Sequence, residues 1–288
     1  MSHPSDEARP ASGGFEATNV TVRFGGLVAL RSVSLSVGPG EVRGVIGPNG
    51  AGKTTLFNVC CGFVRPQEGG LRWRGEDLGT LAPADLAKLG IARTLQGVGL
   101  FGGLSVVENV MIGAGGAPGA GKGGGFLSAL LGLPASDRAE RELRSRAMET
   151  LDELGAADVA HRLPGTLPYP VQKRVALARA LVSRPELLLL DEPASGLSEG
   201  EMAELGETIR RLTGVMSVML VEHHMDLVMS VCDQITVLDF GEVIADGTPD
   251  AVRNDPAVVA AYLGDEVERD SVEERADGSA AASITMEA

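Results

Sequence analysis

Two short segments carry residue types that act on phosphate. The first is Gly47-Pro48-Asn49-Gly50-Ala51-Gly52-Lys53-Thr54-Thr55, which fits the pattern Gly-x-x-x-x-Gly-Lys-Ser/Thr in full. Small residues let a backbone close around an anion with its N–H groups turned inward. A helix beginning near Lys53 would add the positive end of its dipole. Lys53 would bring a cation to the outer phosphates, and Thr54 a hydroxyl to a magnesium ion. The competing reading is an ordinary glycine-rich turn. The flanks favour the phosphate loop, because Glu41–Ile46 reads as a strand and Lys53–Cys61 as a helix.

The second segment is Leu187-Leu188-Leu189-Leu190-Asp191-Glu192-Pro193. A carboxylate at the end of a buried strand can hold Mg²⁺ or its water shell, which suits Asp191. Glu192 beside it could accept a proton from an attacking water. By itself the segment is equally a strand that ends in a turn. Paired with a phosphate loop earlier in the chain, it supplies the metal and base half of an ATPase. A partial copy of the loop pattern, Gly116–Gly123, lacks the metal-binding hydroxyl and the flanking strand and helix, and reads as low-complexity loop.

These residues need elements to position them. Strand-like alternation marks Phe15–Val22, Val33–Val37, Leu71–Gly75 and Ile91–Gln96, with a short helix at Pro83–Leu89. Gly113–Gly125 is nearly all Gly, Ala and Pro, a loop composition. Apolar spacing predicts helices over Asp137–Leu154, with Ser136 as N-cap, and over Val171–Val182. Alternation then resumes: strand Leu187–Asp191, helix Glu199–Leu212, strand Val215–Val221, helix His224–Val231, strands Ile235–Leu238 and Val243–Ala245, and small helices at Pro249–Arg253 and Pro256–Leu263. The order predicts an α/β fold: a phosphate-loop core with a mixed or parallel sheet, an N-terminal antiparallel part, and an inserted helical subdomain at about 97–184.

Composition narrows the function. The 288 residues carry a net charge of −14, which argues against a protein that grips nucleic acid through its phosphates. Hydrophobic residues make up 44%, enough for a sizeable core. No apolar run approaches the ~20 residues of a membrane span. Three cysteines, two of them adjacent, form no disulfide framework and suit a reducing cytoplasm. Residues 265–288 carry eight acids and two arginines, leaving −8 for the remainder, and read as a solvated tail. Residues 1–14 read as a polar tail, and 15–264 as the folded domain.

Further residues match in order. The sequence resembles the ATP-binding subunits of ABC transporters over about Phe15–Gly264. The resemblance implies that Phe24 stacks on adenine. It implies that Gln96 touches Mg²⁺ and relays to a transmembrane partner, and that Ser195–Ser198 is a dimer-contact loop. His223 would contact the γ-phosphate. Singly, Phe24 reads as core, Gln96 as a strand end and His223 as a helix cap. Within the family the chain is most similar to branched-chain amino acid transporters, through Arg23-Phe24-Gly25-Gly26, Ala92–Gln96, Val107-Glu108-Asn109 and Asn254–Gly264. Lipopolysaccharide-export ATPases share some of these features, so substrate stays open. The resemblance implies ATP and Mg²⁺ as ligands. Its implied partners are transmembrane permease subunits, a second ATP-binding subunit in a heterodimer or homodimer, and indirectly a solute-binding protein. The implied location is the cytoplasmic face of the membrane.

One departure stands out. The family's signature, Leu-Ser-Gly/Tyr-Gly-Gln, here reads Leu167-Pro168-Tyr169-Pro170-Val171. In the family that segment binds the γ-phosphate across a dimer interface. Proline has neither hydroxyl nor N–H, so at least two donors are missing. Gln172 is a candidate to compensate. Two rival readings follow: a non-transport ABC ATPase acting on ribosomes or DNA, or a regulatory nucleotide-binding subunit with little turnover. The acidic single-domain chain disfavours the former; Glu192 and His223 disfavour the latter.

Overall fold

The computed structural model describes residues 13–94, 97–115 and 136–262. The expectations for residues 1–12, for Gln96, for the partial loop copy at Gly116–Gly123 and for the acidic tail lie outside these.

The N-terminal sheet is antiparallel, in the order β2-β1-β4-β5. Its strands are β1 (Phe15–Phe24), β2 (Leu27–Val37), β4 (Glu68–Trp73) and β5 (Glu76–Asp77). The β1–β2 hairpin is longer than its alternation suggests. Register shifts at Ala17/Val20 and Val20/Val22, with Asn19 and Ser32 at positive φ, break the period-two pattern without ending the pairing.

The second sheet holds β3 (Val42–Ile46), β6 (Ile91–Arg93), β7 (Leu187–Asp191), β8 (Ser217–Val221), β9 (Gln234–Asp239) and β10 (Glu242–Gly247). Its order is β10-β9-β3-β8-β7-β6, parallel except for β10. Both faces are covered, which is why β7 can be a run of leucines. Leu187 and Leu189 pack with Phe15, Leu56 and Phe57 on one side, while Leu188 and Leu190 pack with Ile209 and Leu227 on the other. Truncating any of these fully buried leucines to Ala would cost about 2–5 kcal/mol. Inside the sheet, buried Arg43 is held by Glu41 at 2.9 Å and Asp246 at 2.8 Å, tying β3 to β10.

The helices are α1 (Lys53–Cys60), α2 (Val106–Ile112), α3 (Ser136–Glu153), α4 (Tyr169–Leu181), α5 (Glu199–Leu212), α6 (Met225–Val231) and α7 (Pro249–Arg253); Pro83–Leu89 is 3₁₀. Residues 256–262 are also helical. Helices α2, α3 and α4 share a separate core that includes Val106, Val110, Leu151, Val175 and Val182. Helix α2 was not foreseen: it is seven residues long, started by a capping box between Ser105 and Glu108. Ser136 falls inside the first turn of α3 rather than before it. Helix α4 begins two residues earlier than its apolar spacing suggests, because Pro170 is tolerated in a first turn. Strand β6 stops at Arg93. No helix among the described residues is long and apolar enough to cross a membrane.

Candidate nucleotide site

Sheet register assembles the site. Val45 on β3 lies beside Val221 on β8, and Val221 lies beside Asp191 on β7. Three loops therefore leave the carboxyl edge of the sheet at one level: Gly47–Gly52, Glu192–Ser198 and Glu222–His224. Ligands of open parallel sheets bind at this edge.

Glycines shape the phosphate loop at two positions where a side chain would meet neighbouring backbone. Gly47 has φ 150°, and a Cβ there would sit 2.1 Å from the Leu238 carbonyl oxygen. Gly52 has φ 102°, and its Cβ would approach the Ala29 oxygen at 2.8 Å. The loop thus rests on β2 and on the β9–β10 turn, where the Gly241 N–H donates to the Ala51 carbonyl at 3.0 Å. Lys53 is buried and its Nζ donates to the carbonyls of Gly47 (2.7 Å) and Pro48 (2.8 Å), which holds the cation across the mouth of the loop. Asn49, Gly50 and Thr54 are exposed; Gly52 and Thr55 are partly so. A cradle of small residues with a fixed ammonium and a hydroxyl at the helix start fits a nucleotide polyphosphate.

Asp191 ends β7 with its N–H 3.4 Å from the Thr94 hydroxyl. Burial, reinforced by the neighbouring Glu192 charge, pushes its pKa up to about 6. Glu192 occupies a left-handed conformation, φ 45°, that strains a non-glycine residue. Its N–H donates to Val221 at 2.9 Å, and its Oε1 lies 3.9 Å from His223 Nδ1. Glu222 is fully buried, with its Oε2 3.7 Å from His223 Nδ1. Burial raises the pKa of Glu222, but hydrogen bonds from His224 and from the Ala194, His223 and His224 N–H groups bring it below its ordinary value. Three carboxylates close together concentrate negative charge, and the donor set of Asp191 and the Thr54 hydroxyl, all oxygen, fits a hard divalent cation.

Phe24 ends β1 and is 52% exposed, so it is a surface ring rather than core. In the signature segment, Pro168 is the N-cap of α4 and Pro170 lies in its first turn. Gln172 Nε2 donates one of its two hydrogens to the Leu167 carbonyl at 2.9 Å, beside the first turn of α4. Exposed Tyr169 packs toward Gly196, and Lys173 Nζ donates to the Pro193 carbonyl at 2.7 Å, so α4 grips the loop after Glu192.

Two residues were missed from the sequence. Buried Asn109 accepts from the Phe101 N–H at 2.7 Å and donates to the carbonyls of Phe101, Leu104 and Ser105, fixing the loop that displays Phe101. In the sequence it stands only within the subfamily feature Val107-Glu108-Asn109. Glu222 gave only the signal of an acid before two histidines.

A strand, a glycine loop and a helix, joined along one sheet edge by an Asp–Glu pair and a histidine, define a P-loop nucleotide-hydrolysing domain. This chain belongs to the ABC transporter family: residues 30–195 match the ABC transporter model. Residues 242–268 also match the model described as branched-chain amino acid ATP-binding cassette transporter. It is 42% identical over 252 residues to the high-affinity branched-chain amino acid transport ATP-binding protein BraF of Pseudomonas aeruginosa, covering 87% of this chain and 97% of that one. It is 41% identical to the corresponding protein LivG of Escherichia coli, covering 85% and 95%. The lipopolysaccharide export ATP-binding protein LptB of Haemophilus influenzae is 31% identical, covering 87% and 97%. A nucleotide-free ATP-binding cassette from an ABC transporter superposes with TM-score 0.74 at 30% identity, over 86% of this chain and 98% of that one. A dimeric post-hydrolysis cassette bound to ADP and Pi gives 0.67 at 26% identity, over 82% and 98%. The chain is thus an ABC ATPase subunit, of a family that hydrolyses ATP to power transport and acts as cassette dimers with permease subunits.

Proposed function

We propose that this chain powers an importer of branched-chain amino acids or similar small polar solutes. It would sit peripherally on the cytoplasmic face of permease subunits that receive solute from a solute-binding protein. The observation that carries the solute class is the match of residues 242–268 to the branched-chain model, outside the ATP-handling motifs. The lower identity to the lipopolysaccharide-export ATPase disfavours that alternative.

In this reading Phe24 stacks on adenine, and Gly47–Thr55 cradle the phosphates with Lys53 as their point charge. Magnesium, when bound, would neutralise charge on the β- and γ-phosphate oxygens; Thr54, Asp191 and Gln96 are the residues to hold it. Glu192 takes a proton from the attacking water. His223 donates to the γ-phosphate, so charge that develops there is met by preset donors.

The second cassette is a different chain. In a head-to-tail dimer each ATP meets one chain's phosphate loop and the other chain's signature. This chain's loop, Asp191, Glu192 and His223 are complete, whereas Pro168 and Pro170 spoil the signature it offers. A partner with an intact signature would form one competent site, built on Lys53. The test mutates the phosphate-loop lysine of each subunit in turn in the assembled transporter. Lys53→Ala is expected to remove most turnover and the partner's substitution to leave much of it; equal losses contradict the asymmetric pair.

A further inference from the structure

The buried carboxylate of Glu222 joins the Glu192–Ser198 loop to the start of the Glu222–His224 loop. Its Oε1 accepts the Ala194 N–H at 2.8 Å. Its Oε2 accepts from the N–H groups of His223 (2.9 Å) and His224 (3.2 Å) and pairs with His224 Nδ1 at 2.9 Å. Ala194 follows Glu192 by two residues and leads into Ser195–Ser198. Burying a carboxylate opposes folding unless donors surround it; here four are supplied, from two strand ends. His223 Nδ1 stands 3.7 Å from Glu222 and 3.9 Å from Glu192, hydrogen-bonded to neither, so its ring keeps its donor for a ligand. His224 takes the side-chain bond instead. From the opposite side Lys173 of α4 holds the Pro193 carbonyl.

We propose that Glu222 is a positioning residue. It locks the Glu192–Ser198 loop to the His223 backbone, so that base, phosphate-contacting histidine and dimer-contact segment act as one body. The inference rests on the roles assigned to Glu192 and His223. A neutral residue could satisfy Ala194, but only a carboxylate accepts on both oxygens from both loops at once.

The test substitutes Glu222→Gln, a near-isosteric change that points an amide NH₂ at N–H donors on one side, and Glu222→Ala, which removes both links. The assembled transporter is assayed for kcat and KM, and the full chain for ATP affinity and melting. Loss of one charged hydrogen-bond set is expected to lower kcat about tenfold in Glu222→Gln, and further in Glu222→Ala. KM and ATP Kd are expected to stay within about twofold, because the Lys53 ammonium is anchored by the Gly47 and Pro48 carbonyls within its own loop. If Glu222→Ala fails to fold, Glu222→Gln carries the test. Parental kcat in Glu222→Gln overturns the proposal, as does a fall that vanishes when rates are divided by ATP-binding sites. Glu192→Gln and His223→Ala run alongside. If they abolish turnover while Glu222→Gln does not, only the positioning role falls; if they too keep parental turnover, the site assignment falls with it.

Discussion

Restoring the signature should let this chain close on itself. The perturbation is P168S together with P170G. Pro168 is an N-cap with φ −56° and ψ 147°, a conformation and position that serine favours. Pro170 lies in the first turn, where its missing N–H removes a donor from the helix end but breaks no helical bond. Replacing it by glycine relaxes the unfolded chain and costs about 1 kcal/mol of stability. The gain is a serine hydroxyl and two backbone N–H groups facing a neighbour's phosphate. Hydrogen bonds to a charged group contribute roughly 1.5–3 kcal/mol each, so two of them are worth about 3–6 kcal/mol. That is a hundredfold or more in the closure equilibrium, at about 1.4 kcal/mol per tenfold. The assay places both changes in a Glu192→Gln background and follows MgATP-dependent dimerisation of the full chain by sedimentation. The restored chain is expected to dimerise at concentrations about a hundredfold below those needed by the unrestored chain. Equal dimerisation would refute the reasoning and place the closure energy elsewhere.

Lys53→Ala should weaken ATP binding at least tenfold in a direct titration, because the ammonium anchored by Gly47 and Pro48 is lost; unchanged affinity contradicts the phosphate-loop assignment. Gly47→Ala should destabilise the fold by several degrees in a melt, since its Cβ meets the Leu238 carbonyl oxygen at 2.1 Å. Asp191→Asn should raise the melting temperature of the nucleotide-free chain at pH 7.5 while abolishing its stabilisation by MgATP. The sign follows from a folded pKa of about 6 against an ordinary aspartate value of 3.8: the group favours folding below the lower value, and that contribution is lost as pH rises through the upper one. The advantage of the variant should shrink as pH falls from 7.5 toward 4, and a variant less stable at pH 7.5 would contradict a carboxylate burdened by burial and by the Glu192 charge.

What the sequence disclosed was local. The phosphate loop, Asp191–Glu192 and the β7 leucines are contiguous, and their neighbours state the element type. Alternation ends the first strand at Val22 and starts the second at Val33, because the register shift at Val22/Arg23 and Ser32 at positive φ interrupt the period while the backbone stays paired. Helix α2 is signalled by the Ser105–Glu108 capping box rather than by apolar periodicity. Glu222 could not be read because its meaning lies in Ala194, 28 residues away on another strand end. The hydrogen bond from Gln172 to Leu167 is equally a matter of side-chain direction, which spacing does not encode.

The most direct measurement is ATP-driven uptake by the assembled transporter in proteoliposomes. Labelled leucine, isoleucine or valine is offered with the solute-binding protein outside and MgATP enclosed. Uptake that requires ATP and disappears with Glu192→Gln in this chain is the predicted result. Uptake unaffected by Glu192→Gln, or ATP turnover indifferent to every branched-chain amino acid, would contradict the account.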